Sequence, residues 1–216
     1  MTPTRRLVLA GLSAAAASAA SALPPSAHRA AHAADPGAEA PIAALNQALL
    51  AAMQAGRSTP FARRFERLAP AVERAFDLPG ILQASIGPRW SGLPPAQQAQ
   101  LLEVFRRFTV ASYAARFDSY GGERIEVVPD GRAVGADQVV ATRIAPPGGE
   151  PTRIDYVMRR GPAGWQAVDV LLNGSISQVA VQRSDFRASV AAGDASALIA
   201  SLQRKVAELS GGAPPS

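Results

Sequence analysis

Apolar residues recur along this chain in two rhythms, and the change from one to the other marks its architecture. The first half is dominated by spacings of three and four, the mark of a helix with one buried stripe. Ile42, Leu45, Leu49 and Met53 predict a helix over Ile42–Ala55 closed by Gly56. Phe61, Phe65, Leu68, Val72 and Phe76 predict a second, Phe61–Phe76, which Pro70 should kink or divide. Asp77 is placed to cap a short third helix, Leu78–Ile86, with Pro79 in its first turn. A turn-rich connection from Ile86 to Pro94 carries Trp90. The longest helix, about Pro95–Phe117, shows Leu101, Leu102, Phe105, Phe108, Ser112, Tyr113 and Phe117 on one broad face.

After Ser119-Tyr120-Gly121-Gly122 the period shortens to two. Arg124–Pro129, Gln138–Ile144, Thr152–Arg160 and Trp165–Leu172 are rich in Val and Ile and are separated by Gly- and Pro-bearing turns. They predict an antiparallel meander. Ile154, Tyr156 and Met158 share one side of the third run against Arg153, Asp155 and Arg159, so one face is expected buried and the other wet. Two more helices, Ser175–Ala191 and Ala195–Ser210, follow around Gly193-Asp194. Residues 34–41 read as a loose lead-in and 211–216 as a disordered tail. Helices, then strands, then helices predict an α+β fold: a single domain over 34–210, with a curved four-stranded antiparallel sheet wrapped by helices.

Trp165–Phe186 poses a specific question. Alternation puts Trp165, Ala167, Asp169 and Leu171 on one side of the strand and Val168, Val170 and Leu172 on the other. On the helix that follows, Ile176, Val179, Arg183, Phe186 and Val190 form one stripe, with Arg183 in a core-facing row. A buried guanidinium needs a partner. Asp169, across the Asn173-Gly174 turn, is the natural one, and an Asp169–Arg183 structural ion pair is the expectation.

Composition changes the picture mainly at the N-terminus. Thr4-Arg5-Arg6 precedes an uncharged, Ala-rich run from Leu7 to Ala22, and Ala31 and Ala33 supply a small-residue cleavage signal, with Ala20 and Ala22 as an earlier option. Residues 1–33 therefore read as a cleaved export signal, with Arg5-Arg6 resembling the twin-arginine form. Without Arg5, Arg6 and Arg29, the 22 basic residues fall to 19 against 17 acidic ones, a net +2. That small, unclustered excess argues against a nucleic-acid partner despite the pI of about 10.6. His28 and His32 leave with the leader, and the chain has no Cys. Histidine-based triads, thiol nucleophiles and ordinary zinc sites are thereby excluded from the mature chain. Arg63, Arg64, Arg67, Arg106 and Arg107 are expected on solvated helix faces.

The second half carries an ordered set of features: Tyr156, Trp165, Val168-Asp169-Val170, Gly174-Ser175-Ile176-Ser177, Arg183-Ser184-Asp185-Phe186, and Leu198 with Leu202 and Lys205. With Ile86-Gly87-Pro88-Arg89-Trp90, the Gln97–Phe105 helix start, Tyr113 and Tyr120, it resembles the MlaC family over most of residues 42–209. These are periplasmic lipid-binding, Ttg-type auxiliaries of ABC transporters. The Ser175-Ile176-Ser177 and Arg183-Ser184-Asp185-Phe186 wording looks most like the hopanoid-associated HpnM branch. The phospholipid-carrier branch usually has Gly-Val-Ser at the turn and an aromatic where Gln182 precedes Arg183, which leaves the lipid, phospholipid or hopanoid, open.

The resemblance implies a sheet-and-helix cradle distantly like the nuclear-transport-factor-2 (NTF2) fold. It also implies a monomeric carrier without cofactor or covalent chemistry. Such a carrier would pass lipid between an inner-membrane ABC transporter of the MCE type, or an RND-type exporter, and an outer-membrane acceptor. Candidate lipid-binding residues are Ile86, Trp90, Leu101, Phe105, Phe108, Tyr113, Tyr156, Met158 and Leu172, each also readable as ordinary core. Arg183 reaching a lipid headgroup is the alternative to its pairing with Asp169. Two other functions stay open: an enzyme using Asp169 with Tyr156 or Tyr113 as base and donor, and a structural envelope adaptor with a collapsed core.

Overall fold

The computed structural model describes residues 35–212; the export signal expected over 1–33 and residues 213–216 lie outside the described residues. Helices α1 (Pro36–Ala55), α2 (Phe61–Ala75) and α3 (Leu78–Ile86) come first, then a 3-10 turn (Gly87–Gly92) and α4 (Pro95–Arg116). The strands are β1 (Arg124–Val127), β2 (Arg132–Val134), β3 (Asp137–Ala145), β4 (Thr152–Gly161), β5 (Gly164–Leu172) and β6 (Ile176–Ser177). Helices α5 (Gln178–Arg187) and α6 (Ser196–Leu209) follow. The class is α+β, as expected.

Local signals explain most helix ends. Asp35 Oδ1 accepts from Gly37 N at 2.7 Å with Pro36 in the first turn, and Gly56 closes α1 at φ 65°. That cap corrects the expected loose lead-in: α1 begins at Pro36, and Ala38 is fully buried. A Cβ on Gly37 would lie 3.3 Å from Trp165 Cδ1, so glycine lets this first turn rest on the indole. Helix α2 runs undivided through Pro70. Asp77 caps α3 as predicted, its Oδ1 accepting from Gly80 N at 2.9 Å.

The sheet has six strands in the order β1-β3-β4-β5-β6, with β2 also pairing to β3. The four expected runs are there. The count rises because β2 extends the β1 edge beyond Pro129, which has no N–H to donate, and β6 pairs Leu172 with Ile176 across Asn173-Gly174. Both turn residues have positive φ, 52° and 72°. Gly174 is further constrained, since a Cβ there would lie 3.3 Å from Arg153 Nε.

A bulge overturns the expected alternation of β5. Val157 pairs with Asp169 but Met158 pairs with Ala167, so Val168 is the extra residue. Val170 and Leu172 therefore share a face with Ala167, opposite Tyr156 and Ile154, instead of lying on the other side. The residues opposite them in β4, Tyr156 and Met158, are buried, as the period predicted.

The other face is polar but not simply wet. Arg143 pairs with Glu126, Arg159 with Asp137, and Arg153 with Asp130. Asp155 is fully buried there, at 2.8 Å from Arg153 Nε and 3.5 Å from Arg132 Nη1. The exposed-arginine expectation also fails at Arg64. Its side chain is buried and donates to the carbonyls of Thr59 (2.5 Å) and Ala114 (3.3 Å), joining α2 to the end of α4.

The core lies between the helices and the inner sheet face. Ile42, Leu45 and Leu49 of α1, Leu68 and Val72 of α2, Leu101 and Phe105 of α4, and Leu198 and Leu202 of α6 are all essentially inaccessible. Each contributes about 1.5–3 kcal/mol. Helix α1 crosses β1, β3, β4 and β5, while α4 packs on α2, α3 and α6.

Asp155 is the buried member of its cluster, and removing its carboxylate takes away charge-assisted hydrogen bonds from Arg153 while leaving that solvent-reaching guanidinium with Asp130 alone. Asp155→Ala is expected to cost about 1.5–3 kcal/mol, measured by urea unfolding; an unchanged midpoint would contradict the buried network. The arginines also hold Glu126 and Asp137 below the ordinary 4.5 and 3.8. Because these carboxyls are depressed in the folded state, their contribution is present above those values and lost as pH falls below them. The melting temperature should drop in acid and do so less steeply in Asp137→Asn; a melting temperature that rises below pH ~4 would refute this.

Candidate functional site

A cavity of about 350 Å³ lies where four parts of the fold fail to close on one another. Helix α4 supplies one wall through Phe105, Phe108, Thr109, Ser112, Tyr113, Arg116 and Phe117. The sheet supplies Ile154 from β4, with Asp169, Val170 and Leu172 from β5. Helix α5 adds Gln178, Val179 and Gln182, and the α2–α3 junction adds Phe76, Leu78 and Ile81. Arg116 is the one exposed residue of the lining.

Rings organise one side of this space. Phe76 lies 5.7 Å from Tyr113 and 6.0 Å from Tyr156, and Tyr113 stacks on Phe117 at 5.9 Å. Phe76 reaches this position because the chain leaves α2 in extended conformation and bridges β5 beside Ala167, whose carbonyl accepts from Asp77 N at 3.0 Å. Burial pushes the phenols of Tyr113 and Tyr156 above their usual range, so both are neutral hydroxyls at physiological pH. Lys205 of α6 lies 5.7 Å over the Phe108 ring.

Asp169 is the one acidic group in the lining, and its oxygens are already committed. It accepts from Ser177 Oγ at 2.5 Å, Val170 N at 2.7 Å and Val179 N at 3.1 Å. Ser177 Oγ in turn accepts from Ala180 N at 3.0 Å, so the pair caps the start of α5. A carboxylate used in this way is a strut rather than a proton acceptor for an incoming substrate.

The expected Asp169–Arg183 pair does not form. Arg183 Nε and Nη2 both donate to the Ala84 carbonyl, at 2.9 and 2.6 Å, tying α5 to α3. The reason lies in the helix start. Ile176-Ser177 belongs to β6, so α5 begins only at Gln178, and the presumed apolar stripe is broken. Ile176 is 49% exposed and Arg183 is exposed, while Phe186 and Val190 are buried as expected.

Of the nine candidate lining residues, Phe105, Phe108, Tyr113 and Leu172 face the cavity. Tyr156 stands behind Phe76, and Leu101 and Met158 are sealed in the core. Trp90 packs against the core from the 3-10 turn. Ile86 borders a second cavity of about 560 Å³ between α3 and α5. Sequence reasoning missed Phe76, Val170 and Val179. Phe76 was legible as the apolar residue wedged between two helices, whereas Val170 was hidden by the bulge.

A family model described as MlaC protein matches residues 43–204. Among solved structures, the phospholipid-binding protein from Ralstonia solanacearum, solved in complex with a phospholipid, is similar to this chain. Identity is 22%, the match covers 80% of this chain and 98% of that chain, and the TM-score is 0.68. At that identity the likeness establishes a shared fold. No curated protein matches the chain.

Ser177→Ala removes both the donor to Asp169 and the cap of α5. It should cost about 1 kcal/mol and speed amide exchange at Ala180 while leaving α1 unaffected. Unchanged exchange at that amide would refute the capping role.

Proposed function

The chain belongs to the MlaC family, and we propose that it is a lipid carrier of the periplasm, holding the apolar part of a phospholipid or hopanoid. The observation that carries this reading is the cavity between α4 and the sheet, whose Phe108, Phe117, Ile154, Val170, Leu172 and Val179 are only half-buried. Apolar walls left partly open to water are stabilised by any apolar occupant. The volume is more than twice that of a cavity known to take benzene, about 150 Å³. At about 0.8 kcal/mol per buried methylene, some ten methylenes would supply roughly 8 kcal/mol. That is micromolar binding, before ordering costs, with no charged contact needed.

The rest of the reading has separate supports. Export rests on the leader pattern in residues 1–33. No helix among the described residues is long and apolar enough to cross a membrane. The hand-over between an inner-membrane MCE- or RND-type complex and an outer-membrane acceptor, the NTF2-like cradle and the monomeric, non-enzymatic state all follow from the family resemblance.

Native mass spectrometry of protein recovered from its own periplasm should find one lipid per chain, and stripped protein should take lipid up again. Thr109→Trp places an indole in the cavity from α4. It should weaken that uptake by about tenfold or more, the loss of some 1.4 kcal/mol, while far-UV circular dichroism stays unchanged. Stripped protein that takes up no lipid of any class would overturn the reading.

A further inference from the structure

The second cavity, of about 560 Å³, has a different chemistry from the first. Its lining includes Arg89, Arg183 and Arg187, together with Ser85 and Ser184, and contains no acidic residue. Asp185 sits on the same helix but outside that lining. The arginines are held without neutralisation. Arg89 Nη1 donates to the carbonyls of Arg187 (2.7 Å) and Val190, and Arg183 donates to the Ala84 carbonyl through Nε and Nη2. Arg89 keeps its Nε and Nη2 donors, and Arg183 its Nη1. The Arg187 guanidinium has no partner among the described residues.

Three exposed arginines line this one cavity and no carboxylate does, so an anion entering it meets positive charge alone. Carbonyl tethers fix two of the three forks at no cost in charge, which is the preorganisation an oxyanion site needs. The volume falls within the range of small-molecule sites, about 300–1,000 Å³.

We infer that the α3–α5 cavity, through Arg89, Arg183 and Arg187, binds a phosphate group carried by a small molecule. The site is distinct from the apolar cavity. Ser85 Oγ and Gln182 Oε1, 3.0 Å apart, form the partition between the two, beside the edge-to-face contact of Phe105 with Phe186 at 6.4 Å. The phosphate has two possible sources, a lipid headgroup or a free phosphorylated solute, and both present the same oxygens to the arginines.

The probe is inorganic phosphate, titrated calorimetrically into lipid-stripped protein. Arg187→Gln is the informative variant, because that side chain is exposed and holds nothing in the fold together. Arg204→Gln, an exposed arginine of α6 away from the cavity, is the control. Wild type should bind phosphate, Arg187→Gln about tenfold more weakly, and the control indistinguishably from wild type, with all three equally helical by circular dichroism. No binding by wild type at millimolar phosphate, or equal weakening in both variants, would overturn the site.

Repeating the titration on protein loaded with phosphatidylglycerol or with diacylglycerol separates the sources. Loss of phosphate binding only with the phospholipid assigns the site to a headgroup, and binding retained in both assigns it to a free solute. The first arm uses no lipid, so its failure leaves the carrier reading standing, and failure of lipid uptake leaves the phosphate site standing.

Discussion

Two hydrogen bonds to Asp169, from the Ser177 hydroxyl and the Val179 amide, fix the end of the sheet and the start of α5 as one unit. Much of the cavity depends on that junction. Helix α5 has only ten residues and one buried side chain, Phe186, so its own core contacts are few. A helix that short is marginal without tertiary help. Capping supplies part of that help, and the Arg183 bonds to Ala84 and the Ser85–Gln182 contact tie the other flank to α3. The result is a short wall held at both sides by polar contacts, with an apolar space on one flank and a cationic one on the other.

The division of labour across the sheet follows from the same economy of burial. Its inner face packs on α1 and opens to the cavity, where Ile154, Val170 and Leu172 stay half-accessible. Its outer face is closed by arginine–carboxylate pairs centred on Asp155, so no second apolar layer is required. Charge is thus concentrated on the face away from the apolar cavity, and the lining of that cavity contains only Arg116 and Asp169 as charged groups.

The helices and the main strands were legible because period and caps agreed. The three-and-four rhythm placed α1 and α2, a broad apolar face placed α4, and Asp77-Leu78-Pro79 announced the start of α3. Where period and backbone geometry disagreed, sequence misled. The Val168 bulge reverses the parity of β5, so Val170 faces the cavity although plain alternation put it away. Likewise, Ile176 and Ser177 continue the sheet rather than begin the helix, which removes Arg183 from the core and frees Asp169 for capping. Nothing in residue type distinguishes Leu101 and Met158, sealed in the core, from Phe108 and Leu172, which face a void. That difference is set by how four elements meet, a property of packing that no single stretch encodes.

A lipid carrier of this build holds an apolar chain in the space between α4, β5 and α5. Photo-crosslinking with a lipid carrying a diazirine near the end of its acyl chain tests it most directly, with the modified residues mapped by peptide sequencing. Adducts are expected on Phe108, Phe117, Val170, Leu172 or Val179. Adducts confined to the α3–α5 cavity around Arg89 and Arg187, or scattered over the outer sheet face, would contradict it.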